Sequence, residues 1–568
     1  VVFAEAVVGG LVVSFLPGIL KALIRLNDVI PNATQADRMS PETIDALRLG
    51  HENVQATVAD PAGGFGLGFS AAVIGAVVLG AFYVTNGYRH GSIALNALVQ
   101  PSRIRLLGVK AAALTITVLA ACLPLVIVRA GILAFAAAAQ DVGGTLGMAD
   151  LAGRLGTPLF VVDLADLAAR ARVWVSAMAE EFWDGYGMAG GNAFYASKAF
   201  LSAEVARLVA AEGMGIDTAS LGELTLALRA GVDPGRIGLH GNNKGDAEIE
   251  LALQAGIHRI FIDSAHEVGA VERIAARLGV EAPVMVRLKS GVHAGGNEYI
   301  ATAHEDQKFG VSVADGQALD VVRRIREAPH LRFLGLHSHI GSQIFGTAAF
   351  EEAARVVVDF AARIRDELGV ETGAIDLGGG VGIAYTGQDP VPDSPAAVAR
   401  ALAGVVRERC ESLRLPVPHV STEPGRSVVG PAALTLYTVG VVKDVSLPGG
   451  GVRRYVAVDG GMSDNIRPAL YGASYTAALA GREGAEGLAR CRIVGKHCES
   501  GDIVVHDVDL PADICVGDVL AVPATGAYGR SMASNYNLFT RPGVRWVREG
   551  ESGWILRPET IEDLLRLE

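Results

Sequence analysis

From about residue 155 the chain alternates short Val/Ile/Leu runs with Ala-rich stretches of helical period. PLFVVDL, RIGLH, RIFIDS, PVMVRL, LRFLGLHSHIG and AIDLGGG read as strands, SAEVARLVAAEG and AAFEEAARVVVDFAARIRDELG as helices. Repeated about eight times across residues 155–426, this pattern predicts an α/β fold, a parallel (β/α)8 barrel. After about residue 430 the helices thin out. LTLYTVGVVKDV, RRYVAVDGG, ARCRIVGKHCESGDIVV and DVLAVPATGAY predict a C-terminal β-domain of Greek-key or sandwich type. No low-complexity linker separates it from the barrel, so intimate packing is expected. The N-terminal part has another texture. The 28 residues between Asp60 and Arg89 carry no charge, and residues 111–128 form a second apolar run; residues 6–20 are a shorter third. The first two are long enough to cross a bilayer. The loop between them holds Arg89, Arg103, Arg105 and Lys110 and no acid, a positive-inside signature that places it in the cytoplasm. Residues 1–140 are therefore expected to form a membrane segment of two or three helices.

Composition agrees. Charged residues make up 19% of the 568, below the roughly 25% of soluble domains, and mean hydropathy is +0.34. A net charge of −12 argues against nucleic acid as the main partner. The five cysteines show no CxxC pair and no metal-ligand spacing, which excludes a disulfide scaffold or zinc module and fits a reducing compartment. No metal is expected. No basic segment precedes the first apolar run, so a secretory signal peptide is not expected; the start at Val1 suggests a fragment or a non-standard start.

Five places carry chemistry. Lys198, in NAFYASKAF, follows a β-prone run and falls near the barrel's catalytic mouth, where a partly desolvated amine can form a Schiff base; a lone lysine is far more often a solvated surface residue. In HSHIGSQ (337–343) two histidines at i and i+2 point the same way, either toward a metal or with one ring against a planar cofactor, and Gly341 and Ser342 offer phosphate donors. DLGGGVG (376–382) lets backbone N–H groups approach an anion, although plain tight turns use glycine too. STEPGRS (421–427) is either a surface turn or a site in which Glu423 holds a proton on a pyridine nitrogen and Arg426 faces an anionic substrate. Cys498, beside Glu499 and Asp502 in KHCESGD, is either an inert thiol or a proton donor kept protonated by its acidic neighbours.

Together with HGNNK (240–244), TAHEDQKFG (302–310), MSDNIRPALYG (462–472) and TGAY (525–528), these segments resemble the diaminopimelate decarboxylase family, from about residue 141 to Glu568 and in the family's order. The resemblance implies a TIM-like barrel over residues 155–426, with residues 141–154 and 427–568 forming the β-domain, and pyridoxal 5'-phosphate as cofactor. Lys198 would bind the cofactor aldehyde. His339 would stack on its ring, Ser342 and Gly380 would lie near the phosphate, and Glu423, with Pro424 and Gly425 beside it, would contact the pyridine nitrogen. Arg426, Arg467 and Tyr471 would bind substrate carboxylate, Glu499 the distal ammonium, and Tyr528 both cofactor and substrate. Cys498 would donate a proton from the partner subunit of a homodimer. The expected reaction is loss of CO2 from meso-diaminopimelate to give L-lysine, with the catalytic part in the cytoplasm. Residues 60–135 resemble part of a bacterial ABC-type permease subunit through Tyr-Arg-His-Gly-Ser and Pro-Ser-Arg elements. They replace the short segment that normally precedes the first strand, which puts folding of the full chain in question. Two other readings remain: a related decarboxylase acting on ornithine, arginine or carboxynorspermidine, and a membrane transport component with a regulatory soluble part.

Overall fold

The computed structural model describes residues 147–292, 306–485 and 487–568. The expected membrane segment, its permease-like stretch and residues 302–305 lie outside these. Among the described residues no helix is long and apolar enough to cross a membrane.

The first strand, β1 (Leu159–Asp163), is followed by β2 (Gly191–Ala196), β3 (Gly215–Thr218), β4 (Ile237–Leu239), β5 (Arg259–Ile262), β6 (Ala282–Lys289), β7 (Val311–Ser312), β8 (Leu331–His337), β9 (Ala374–Asp376) and β10 (His419–Thr422). From β2 to β10, leaving out β7, the strands pair in parallel in chain order, and β10 pairs back onto β2 at Val420 and Gly191. The ring is closed, as the strand–helix alternation predicts. β7 attaches to β6 outside it. Three of the intervening helices start at capping serines: Ser202 accepts from the Val205 N–H at 3.1 Å, Ser220 from Glu223 at 3.2 Å and Ser394 from Ala397 at 3.1 Å. Several of these helices end on a left-handed glycine, among them Gly256, Gly279 and Gly369. Ile216, Ile237, Ile260, Val284, Leu336, Ile375 and Val420, one from each of seven strands, are fully buried. Strands that are apolar on both faces are what a sheet covered by helices requires.

The expectation that residues 155–163 open the barrel is corrected. β1 lies in the second sheet, antiparallel to β11 (Ala433–Ser446) and parallel to β17 (Gly543–Arg548). Its run LFVV looks like a barrel strand because both its faces are buried, but against different cores. Phe160 and Val162 join the barrel cluster, while Leu159 and Val161 pack with Met148, Leu151 and Ala152 of the helix Met148–Leu155.

The rest of that sheet is β12 (Val452–Val458), β13 (Ala478–Ala480), β14 (Leu488–Val494), β15 (Ile503–Pro511), β16 (Val519–Pro523) and β18 (Glu551–Leu556). It is mixed: β1–β17 and β12–β14 are parallel and the other pairings antiparallel. β11 serves both halves, pairing β1 and β16 before a register shift at Val439–Val441 and β12 after it. The sheet packs directly on the barrel, as the missing linker suggests: Phe160 and Val162 of β1 lie in the barrel's core cluster, and the Tyr528 N–H donates to the Ala199 carbonyl at 2.8 Å.

Candidate active site

The C-terminal ends of the barrel strands carry the polar residues. Lys198 sits in a short turn directly after β2, exposed at the mouth. The turn is held from both sides. Ser197 donates to the Asp217 carbonyl at 2.6 Å, and the Ala199 carbonyl accepts from the Tyr528 N–H and, at 2.9 Å, from Ser531 Oγ. Tyr528 adopts φ 60°, a conformation a bulky residue holds only when its surroundings impose it. The TGAY motif thus clamps the β-domain onto the lysine turn.

The two histidines of HSHIGSQ part company. His339 Nδ1 accepts from the Gly379 N–H at 3.2 Å, and burial, then the Lys198 charge, holds the imidazole well below its usual range. It is a neutral ring with a fixed tautomer. The glycine triplet is sterically required: a Cβ on Gly379 would overlap the Glu423 carbonyl, and one on Gly380 (φ 114°) the Gly341 carbonyl. That leaves a close-packed backbone cradle beside Ser342, the arrangement that receives a phosphate.

His337, fully buried at the end of β8, points instead to the barrel floor. Its Nε2 lies 3.1 Å from Glu423 Oε1, and His240 Nε2, just past β4, lies 3.0 Å from the same oxygen. The sequence offered no carboxylate or third histidine near the pair; the fold supplies both. Asp217, Asp376 and Arg259 surround them, with Arg259 donating to Asp376 at 2.6 Å. Burial pushes the Glu423 carboxyl up, but the two imidazoles outweigh it and hold it well below the usual carboxylate range. Burial drives His337 down to about 3. The three ligand atoms lie within 4.8 Å of one another, close enough for a metal ion as well.

At the other end, Arg426 and Arg467 are both buried. Arg426 donates to Ser342 Oγ at 2.9 Å and to Tyr385 Oη, and its guanidinium lies 4.7 Å from the Tyr528 ring. Arg467, at the start of the helix Arg467–Tyr471, donates to Tyr475 Oη and lies 4.7 Å over Tyr385. Among the described residues neither has a carboxylate at ion-pair distance. Two buried cations without an anion are costly and call for one. Tyr471 is half-buried at the end of that helix; Pro424 and Gly425 pack their backbone on Ala196, under the lysine turn.

Cys498 and Glu499 stand exposed on the turn after β14, and none of the contacts that hold the site involves them. Asp502 is not their free neighbour. Its carboxylate is buried and accepts from the Met462 N–H at 2.6 Å and the His497 N–H at 2.8 Å. It therefore also has a structural role, tying the Cys498 turn to the loop at Met462.

Sequence reasoning missed Asp217, Arg259 and Tyr385, and took His240 only as part of HGNNK, with no role of its own. Arg259 had a signal: it is a charge at the head of an apolar strand, RIFI.

A buried carboxylate aimed from the floor, a neutral imidazole, a glycine cradle with Ser342, and an accessible lysine fit a planar, phosphorylated pyridine aldehyde. Asp217, His240, His337 and Glu423 all carry buried oxygens or nitrogens without aligned hydrogen bonds, polar surface of the kind a ring nitrogen would meet. Residues 164–430 match the family model "Pyridoxal-dependent decarboxylase, pyridoxal binding domain", which defines the class: a pyridoxal-phosphate-dependent carboxy-lyase. The diaminopimelate decarboxylase of Mycobacterium tuberculosis is 47% identical over 425 residues, 74% of this chain and 93% of the relative, and that of Bacillus subtilis is 42% identical over 420 residues, 74% and 92%. The crystal structure of diaminopimelate decarboxylase from M. jannaschii in complex with L-lysine superposes with a TM-score of 0.68 at 31% identity, covering 74% of this chain and 94% of that one. The chain belongs to the diaminopimelate decarboxylase family.

Proposed function

We infer that the chain removes one carboxylate from meso-diaminopimelate and releases L-lysine, the last step of lysine synthesis. The observation that carries this is the pair of buried, carboxylate-free guanidiniums of Arg426 and Arg467 beside the lysine mouth, in a chain of this family. Bound pyridoxal phosphate supplies an electron sink for the pair left by departing CO2. The residues do the rest. Lys198 would hold the cofactor aldehyde. His339 packs on the ring face, Ser342 and the Gly380 backbone take the phosphate, and Glu423 keeps a proton on the ring nitrogen, with Pro424 and Gly425 fixing its approach. Arg426 lies between phosphate and substrate. Arg467 and Tyr471 take the distal carboxylate, Tyr528 closes over cofactor and substrate, and Glu499 reads the distal ammonium. Ornithine or lysine in place of diaminopimelate leaves a buried arginine unpaired, which sets selectivity.

Cys498 donates the proton that replaces CO2. Because Cys498 and Glu499 are exposed and away from the site's contacts, the reading is that the partner subunit of a homodimer brings them in. An exposed thiol as proton donor suits a reducing cytoplasm. Membrane association rests on the apolar runs in residues 1–140 alone; recovery of the full chain, but not of residues 141–568, in washed membranes supports it.

The deciding experiment is decarboxylation by the full chain with pyridoxal phosphate and meso-diaminopimelate, with L-ornithine in parallel and Lys198→Ala as blank. Lysine formed from diaminopimelate alone is the expected result. Turnover of ornithine instead would replace the substrate assignment. Mixing inactive Lys198→Ala and Cys498→Ala subunits should restore about a quarter of parental activity if the site is shared between subunits, and none if each chain is self-sufficient.

A further inference from the structure

The floor of the barrel holds more than the carboxylate needs in order to be present. His240 stacks flat on Phe261, with ring centroids 3.7 Å apart and planes 17° from parallel, and His337 meets both rings edge-on at 5.1 and 4.8 Å. This packing leaves the His240 ring little freedom. Its Nε2 is thereby set between two carboxylates, 3.0 Å from Glu423 and 3.5 Å from Asp217.

We propose that His240, stacked on Phe261 and set between Asp217 and Glu423, is a positioning residue that fixes the Glu423 carboxylate toward the pyridine nitrogen of the cofactor. The proposal rests on the reading that Glu423 faces that nitrogen.

Electrostatics supports this division of labour. Burial pulls the His240 imidazole down, but Glu423 and Asp217 outweigh it and raise it above its ordinary value, while His337 stays neutral. The two imidazoles facing this carboxylate oxygen are thus biased in opposite directions, His240 toward its protonated form and His337 toward the neutral one. Three buried acids, Asp217, Asp376 and Glu423, crowd this floor, and burial pushes both aspartates up. Arg259 is engaged with Asp376 at 2.6 Å and lies 3.8 Å from Asp217, so it is not available to Glu423. Without His240, the acid that would take up a proton is the one meant to hold it on the cofactor.

The test uses cofactor-free full chain and reads binding, not turnover. Dissociation constants are measured by fluorescence titration for pyridoxal phosphate and for its 1-deaza analogue, in which C–H replaces the ring nitrogen. The variants are His240→Phe, which keeps the stack without the N–H; His240→Gln, which restores a donor; Glu423→Gln; and the double variant His240→Phe/Glu423→Gln. His240→Phe is expected to weaken pyridoxal phosphate roughly 10- to 100-fold and the analogue hardly at all. His240→Gln should recover most of the loss, and His240→Phe should cost less than about 2-fold once Glu423 is glutamine. Equal weakening of both ligands by His240→Phe, or additive losses in the double variant, overturns the proposal and makes His240 a packing residue. If Glu423→Gln itself fails to distinguish the two ligands, the assignment of Glu423 falls first and takes the proposal with it. Should His240→Phe not fold, His240→Leu, which also lacks the N–H, is expected to give the same ligand-dependent weakening, and equal weakening of both ligands overturns the proposal in the same way.

Discussion

Asp464 shows how a single buried carboxyl sets a pH response. It accepts from the Gly461 N–H at 2.9 Å, and burial pushes its carboxyl up to about 7. The folded state therefore prefers the protonated acid, and its contribution to stability, complete below the unfolded value near 4, is lost as pH rises through 7. Asp464→Asn keeps the acceptor and cannot ionise. Its denaturation free energy should match the parent near pH 4 and exceed it by roughly 4 kcal/mol at pH 8. A gap that stays flat across that range would mean Asp464 is ionised at neutral pH. Arg467 is the residue to probe for substrate binding. Arg467→Met should raise KM for diaminopimelate about 10- to 100-fold, the weight of a charge-assisted hydrogen bond, and leave pyridoxal phosphate affinity within about 3-fold. Comparable loss of cofactor affinity would move Arg467 to the phosphate end.

At the level of elements, the loops of the β-domain are joined by two buried side chains. Asp502 ties the turn of residues 495–502 to Met462, and His497 reaches Ser463 Oγ at 2.8 Å and Asn537 Oδ1 at 3.0 Å. Gly461 and Gly495 crowd the Asp502 carboxylate so closely that a Cβ on either would strike it. Asp502→Ala is expected to cost about 2–4 kcal/mol, since it strands two buried N–H groups, and to lower kcat through the loosened Cys498 turn while cofactor affinity holds. Unchanged stability in urea would show that water replaces the carboxylate. Here the limits of sequence reading are plain. The barrel strands were legible because each is apolar on both faces and bounded by glycine or acid, and β1 was misplaced for the same reason: periodicity reports that a strand is buried, not by which sheet. Lys198, His339, Glu423 and Arg426 stood out through local motifs. Asp217 and Arg259 did not, and His240 did so only as part of HGNNK without a role, because their chemistry arises only when strands far apart in sequence converge on one floor.

For the whole molecule, barrel and sheet form one folding unit through β1, whose two faces belong to two cores. A chain beginning at Met148 should unfold in a single cooperative transition with cofactor affinity intact. One beginning at Leu164, where the family model starts, removes a central strand from the second sheet and the Phe160 and Val162 contacts from the barrel. It should be insoluble or bind no pyridoxal phosphate, and a soluble, cofactor-binding product would show that the barrel stands alone. The same strand bears on the order of events during synthesis. Leu159 pairs with Leu436 and Gly543, partners that leave the ribosome only after every barrel strand has emerged. The nascent chain therefore carries β1 with both edges unpaired while roughly 270 further residues are made, an interval in which an exposed apolar strand is open to wrong pairing and to capture by chaperones.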